Sequence, residues 1–153
     1  MATVTLKPVT SENWRQCIKL KVADGQQSWV APNATSLAES AFEPDAKLVP
    51  LAVYDGDTMV GFVMYGHPHY QGKDVWAIFR LMVDKDHQGN GYGRAAMEQV
   101  IQIIAGQPDC AEIYISYEPD NLIAAKLYAS LGFLSEGQVI GDEVLVRLPV
   151  EKS

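Results

Sequence analysis

Apolar and polar residues alternate from Val4 to Pro8, which opens the chain as a short strand. Helical spacing follows at Trp14, Cys17, Ile18 and Val22, with Thr10 or Ser11 placed to cap that helix. Asn33 to Ser36 offer further caps for a short helix from about Leu37 to Phe42, which Pro44 stops. Leu51 to Tyr54 and Met59 to Tyr65 read as strands joined by a hairpin turn at Asp55-Gly56-Asp57. A polar turn region, Gly66 to Lys73, leads into a long apolar strand from Val75 to Val83. A helix from Ala95 to Ile104 then carries one apolar stripe, Met97, Val100, Ile101 and Ile104. Glu112 to Tyr117 is the next strand, and Pro119-Asp120-Asn121 starts a helix running to about Leu131. Gly132 suits the left-handed position just past that helix end. Phe133 to Ile140 and Val144 to Leu148 close the chain as a hairpin around Gly141-Asp142.

Hairpins therefore flank a central strand-helix-strand unit, which predicts a mixed α/β sheet with helices on its faces. No repeat or low-complexity segment divides the chain, so residues 1–153 read as one domain. A hydrophobic content of 48% with 20% charged residues is globular composition. The formal net charge of −7 argues against nucleic acid and is compatible with a cationic substrate, although solubility explains it equally well. No apolar run reaches the roughly 20 residues of a membrane span, and no leader pattern opens the chain, so we expect a cytoplasmic protein without a membrane partner. Cys17 and Cys110 form neither a disulfide framework nor a metal spacing and read as buried thiols.

The chemistry concentrates in Gln88-Gly89-Asn90-Gly91-Tyr92-Gly93-Arg94, between the long strand and the helix that follows it. Three glycines in five positions let backbone approach a ligand closely, and the next helix aims its unpaired N–H groups at the same place. This is a cradle for a phosphorylated ligand. A P-loop requires Lys-Ser or Lys-Thr after the glycines, and none stands there. A dinucleotide fingerprint would need a small residue where Arg94 stands, and would sit in the first β-α turn rather than after four strands.

One strand later the chain reads Asn121-x-x-Ala124-x-x-Leu127-Tyr128-x-x-Leu131-Gly132-Phe133. Together with Gln88-x-x-Gly91-x-Gly93 this resembles the GCN5-related N-acetyltransferase family, over roughly Val49 to Leu148. The resemblance implies a mostly antiparallel sheet of about six to seven strands, about four helices, and two central strands that splay. It implies that acetyl-CoA is the acyl donor, its pyrophosphate held by Gln88, Gly89, Asn90, Gly91, Tyr92 and Gly93. Arg94 either adds a cationic contact or is a solvated helix residue. The pantetheine arm would pair with backbone near Leu81 and Val83 as an added strand, and an N–H near Met82 would polarise the thioester carbonyl. Asn121 would contact pantetheine, cap the last helix, or do both.

By the same resemblance Tyr128 protonates the departing thiolate. A phenol of pKa about 10 gives its proton to a thiolate whose acid lies near 8.5, a modestly uphill transfer. Polyamine acetyltransferases of this kind carry a carboxylate on the strand before the glycine loop. Here Trp76-Ala77-Ile78-Phe79-Arg80-Leu81-Met82-Val83 has none, and Phe79 occupies the expected place. Water, backbone, or a nearby acid such as Asp74 or Glu118 is left to serve as base.

Gln26-Gln27-Ser28-Trp29-Val30, Ser36-Leu37-Ala38-Glu39, Tyr54-Asp55-Gly56-Asp57 and Val60-Gly61-Phe62-Val63-Met64-Tyr65 look like bacterial spermine/spermidine acetyltransferases of the diamine type. The implied acceptor is a primary amine, with Trp29, Tyr65 and Trp76 and the acids Glu39 and Glu43 as a cage for a polycation, or else as core and exposed acid. Other amines, a protein amino group, and a non-catalytic acyl-CoA-binding module stand as alternatives. A homodimer is compatible with the resemblance. His67-Pro68-His69 lacks a third ligand and reads as loop, so no metal is expected.

Overall fold

The structure, a computed structural model, describes residues 2–151; Met1, part of the stretch read for a leader, lies outside them. Its elements in chain order are β1 (Thr5–Pro8), α1 (Trp14–Lys19), α2 (Asn33–Phe42), β2 (Val49–Asp55), β3 (Thr58–Gly66), β4 (His69–Tyr70) and β5 (Lys73–Asp74). There follow β6 (Trp76–Val83), α3 (Tyr92–Ala105), β7 (Glu112–Tyr117), α4 (Leu122–Ser130), β8 (Leu134–Ile140) and β9 (Glu143–Pro149). Seven strands make one sheet in the order β1-β2-β3-β6-β7-β9-β8, and β4-β5 form a separate two-residue hairpin within the expected polar turn. Every neighbouring pair in the sheet is antiparallel except β6 and β7.

The sheet buries both faces. One packs Val53, Val63, Ile113 and Ile115 against Met97, Val100 and Ile104 of α3, with Tyr128 of α4 in the same cluster. The other packs Ala52, Phe62, Met64 and Met82 against Cys17 of α1, with Leu37 of α2 alongside. Alternation along each strand produces this division, since successive side chains point to opposite faces.

Two helix boundaries differ from the sequence reading, for identifiable reasons. The first helix ends at Lys19 rather than near Val22, because Leu20 is extended and the Lys21 N–H donates to Asp84 Oδ1 at 2.9 Å. That bond draws the chain toward the start of the glycine loop. The second helix begins at Asn33, not Leu37, and Asn33 does not cap it. Its amide is buried and donates to Cys17 O at 2.9 Å, so α1 and α2 are joined by a side chain that the pattern suggested was a cap.

The parallel pair sets the shape of the molecule. Trp76 pairs with Ile113, Ala77 with Tyr114 and Ile78 with Ile115, and there the pairing stops. Strand β6 nevertheless continues to Val83 and β7 to Tyr117, so the two strands part and leave a gap in the middle of the sheet. At the same level the β3–β6 register slips between Met64 and Tyr65, which leaves Phe79 as an extra residue on β6. A bulge there bends β6 and increases its local twist, which suits a strand leaving its neighbour.

Strand β6 keeps its outer partner. A Cβ on Gly61 would lie 2.5 Å from Met82 O, so β3 approaches β6 as closely as glycine allows. Gly61→Ala should therefore destabilise the fold by roughly 1–3 kcal/mol, the usual range for overpacking against an element that cannot yield. Urea unfolding of the two proteins measures it, and equal midpoints would show that β6 moves aside freely.

Candidate active site

A cavity of about 910 Å³ fills the gap between β6 and β7 and extends onto both faces of the sheet. Its floor on one side is the glycine loop, whose conformation the sequence dictates. Gly89 and Gly91 have φ of +83° and +82°, values that side-chain-bearing residues rarely adopt. Gly91 is the N-cap of α3 and brings no side-chain cap, so the first N–H groups of the helix remain available. Gln88 is fixed by its amide, which donates to Val83 O at 3.0 Å and to Gln26 Oε1 at 2.9 Å. An anion-sized recess bounded by free backbone donors is what a pyrophosphate needs, and these residues fit one.

The β6 wall carries a directional pattern. The Asp84 N–H donates to Val60 O at 2.8 Å, so alternation assigns the backbone of Met82 to β3 as well. Leu81 and Val83 then face the gap. Their groups suit an added extended ligand, whereas the Met82 amide, expected to polarise a thioester, is turned away from it. By the same alternation it is the Leu81 N–H that is directed into the gap. Met82 contributes a buried side chain whose Sδ lies 3.7 Å from Asn33 Nδ2.

Across the gap, Asn121 accepts a hydrogen bond from the Ala124 N–H at 3.1 Å and caps α4 while lining the cavity. Tyr128 lies about two helical turns further on, its ring between Tyr117 and Phe133 with centroids 5.9 Å from each. Its burial pushes the phenol well above the usual tyrosine value, and the negative charge of Glu143 pushes it further. Tyr128 therefore holds its proton at any physiological pH and can act as a donor, not as a base.

A strap formed by the chain between α1 and α2 closes the other face. Trp29 lines the cavity and donates from Nε1 to Asp120 Oδ1 at 3.1 Å, reaching across to the residue before Asn121. The carboxylates lining the cavity are Glu118 and Glu143. Glu143 Oε1 accepts from the Ser116 hydroxyl at 2.8 Å. Tyr70 and Tyr114 add an edge-on aromatic pair, centroids 6.0 Å apart.

Several predicted acceptor residues are elsewhere. Glu39 is held 2.8 Å from the Arg80 guanidinium and does not line the cavity, so its charge is already matched. Glu43 ends α2 outside the cavity. Tyr65 and Trp76 pack on the core; Trp76 stacks on His67 at 3.9 Å and donates to Asp109 Oδ1 at 3.1 Å. They pin a loop rather than cage a cation. Asp74 is engaged with His69 at 3.1 Å on the exposed β4–β5 hairpin. In the glycine loop, Asn90 folds back on His87 O, and Arg94 donates to Ser130 Oγ on α4; neither lines the cavity. Glu143, Ser116 and Tyr114 were missed because only the register of β7 and β9 brings them to the gap, and Tyr70 because it reaches the cavity from the separate β4–β5 hairpin. The polar Ser116 in an apolar strand was the one local signal.

Neither cysteine opens onto the cavity. Cys17 is fully buried with its thiol pushed up to about 11, and Cys110 is also buried. Among the described residues no three potential metal ligands come together, and no helix is long and apolar enough to cross a membrane.

Comparison with known proteins agrees with this geometry. Residues 13–133 match the model of the Acetyltransferase (GNAT) family. The chain is 32% identical over 152 residues to the spermine/spermidine N(1)-acetyltransferase of Bacillus subtilis, covering 95% of this chain and 98% of that protein. Spermidine N-acetyltransferase from Vibrio cholerae, solved with CoA and spermine, superposes with a TM-score of 0.74 at 16% identity, over 97% of this chain and 96% of that one. The aminoglycoside acetyltransferase AAC(6')-Ib, solved with ribostamycin and coenzyme A, gives 0.77 at 16% identity, over 96% and 93%. The chain belongs to the acetyltransferase (GNAT) family.

Proposed function

We propose that this protein, acting as one acetyltransferase domain in the cytoplasm, moves the acetyl group of acetyl-CoA onto a primary amine of a polyamine by direct attack. The observation that carries the reaction is a single cavity holding both a glycine cradle at the N-terminus of α3 and a buried, protonated Tyr128. Acetyl-CoA supplies a thioester whose carbonyl carbon is the electrophile. The chain binds its pyrophosphate at Gln88 to Gly93, pairs its amide arm with Leu81 and Val83, and offers the Leu81 N–H to the carbonyl oxygen. Tyr128 gives its proton to the sulfur. Burial that raises the phenol pKa raises that of a leaving thiol beside it too, so the transfer stays feasible.

The acceptor assignment is supported by the named activity of the Bacillus subtilis relative and by the make-up of the cavity. Glu118 and Glu143 give it negative charge, and Trp29, Tyr70 and Tyr114 give aromatic surface to alkylammonium groups. This set replaces the cage expected from Glu39, Glu43, Tyr65 and Trp76.

Tyr128→Phe should lower kcat by about 10²-fold or more while acetyl-CoA affinity is kept, the size of a lost general acid. Stopped-flow thiol release and calorimetry separate the two, and wild-type turnover would remove Tyr128 from the reaction. Gly91→Val should abolish acetyl-CoA binding heat, because valine is strained at φ +82°. A CoA-release screen over spermidine, spermine, putrescine, aminoglycosides, amino acids and peptides tests the acceptor. Turnover with another class and none with polyamines would overturn the polyamine reading and leave the reaction standing.

A further inference from the structure

Strand β6 brings no carboxylate to the gap, so the reacting ammonium has no partner on the strand that holds the donor. The opposite wall supplies one. Glu143 is the first residue of β9, and the β7–β9 register sets Val144 opposite Tyr117 and Leu145 opposite Ser116. Alternation then puts Ser116, Leu145 and Glu143 on the face away from α3, the side on which Trp29 and Tyr114 also line the cavity. The Ser116 hydroxyl donates to Glu143 Oε1 at 2.8 Å, which fixes the carboxylate while engaging only one of its two oxygens.

Other acids are excluded by their own engagements. Arg80 takes Glu39, His69 takes Asp74, and Glu43 lies outside the cavity. Glu118 lines the cavity at the far end of β7, beyond the last strand residue. Glu143 is the one of the two whose charge reaches the Tyr128 phenol, so it stands near the place where the thiolate departs.

We propose that Glu143, oriented by Ser116, binds the reacting ammonium of the acceptor and takes its proton, while Glu118 faces the distal end of the same molecule. This rests on the acetyltransferase reading above and names the acceptor side of that site. One N–H proton of the ammonium passes to the Glu143 carboxylate, and the freed lone pair forms the C–N bond to the thioester carbon. The C–S bond breaks, and the sulfur takes the Tyr128 proton. The second proton leaving nitrogen restores the tyrosine, and Glu143 returns the first to water. One ammonium and one thioester thus give one amide, one thiol and one proton.

A pair of acceptors of equal chain length tests it, 1,6-diaminohexane and hexylamine, or an equivalent pair built on whichever primary amine the screen shows to turn over. Glu143→Gln keeps the Ser116 contact and the shape. It should lower kcat/KM about 10²-fold for both members of the pair, with acetyl-CoA affinity and Tm unchanged. Glu118→Gln should penalise the diamine more than the monoamine. Wild-type kcat/KM for Glu143→Gln, or a loss confined to the diamine, overturns the assignment. Failure of polyamines alone in the screen would overturn the acceptor class instead, since the Glu143 comparison uses any amine that reacts. Should Glu143→Gln fold poorly, Ser116→Ala provides the second variant: it releases the carboxylate and should raise KM for amine without changing that for acetyl-CoA, and no change in amine KM also overturns the role.

Discussion

The termination of the β6–β7 ladder at Ile78 and Ile115 is the constraint on which everything else depends. A sheet interior is normally sealed, because unpaired backbone groups buried between strands cost as much as lost hydrogen bonds. Here five residues of β6 continue past their last parallel partner, and the cost is bearable only because the opening is wet or filled by a ligand with amides of its own. The antiparallel partner on the other side holds β6 in place, with the close approach at Gly61 and the Asp84 to Val60 hydrogen bond at the end of the strand. The bulge at Phe79 lets one strand serve two neighbours that point apart.

That opening gives the molecule two chemically different sides. Toward α3 and α4 the gap is bordered by glycine backbone, an uncapped helix start and the buried Tyr128, all suited to anionic phosphate and a leaving sulfur. Toward α1 and α2 it is bordered by aromatic rings and two carboxylates, suited to a cation. The two sides are mechanically linked. Gln88 of the glycine loop is bonded to Gln26 of the strap, and Trp29 of the same strap to Asp120 beside the cap of α4. In the proposed reaction, a ligand that settles in the cradle therefore bears on the segment that covers the acceptor.

The glycine turns of the loop and the setting of Tyr128 were legible in the sequence, whereas the engagement of Asn90 and Arg94 elsewhere and most of the acceptor wall were not, for a physical reason. Gln88 to Gly93 form a contiguous loop whose glycine spacing dictates its own backbone, and Tyr128 sits in a helix whose cap and left-handed exit are local. Their surroundings are fixed within about a dozen residues of chain. The acceptor wall is assembled from segments far apart, so its members depend on register. Glu39 looked like a free acid until Arg80, 41 residues later, claimed it. Tyr65 and Trp76 looked like a cage because aromatic character says nothing about which face of a strand they occupy; both pack on the core. Glu143 sits beside a turn, where acids are commonplace, and only the β7–β9 pairing brings it to Ser116.

The displacement of the acid from β6 to β9 has an electrostatic logic. A carboxylate in place of Phe79 would stand on the same strand as Arg80, whose guanidinium is already bonded to Phe79 O and Glu39. An arginine one residue away would compete with the substrate ammonium for it, and in a partly buried setting that ion pair would be the stronger contender because its partner cannot diffuse off. On the opposite wall Glu143 is held by a neutral hydroxyl instead. Ser116 orders the carboxylate without neutralising it, so its full charge is left for a cation entering the cavity. The Tyr128 phenol is held protonated chiefly by its burial, and the negative charge of Glu143 adds to that hold, so in the proposed reaction the proton stays in place until the departing sulfur acquires a charge of its own. In the proposed reaction one carboxylate thus favours the cationic acceptor and helps keep the acid loaded, which is the pairing of roles a direct transfer requires.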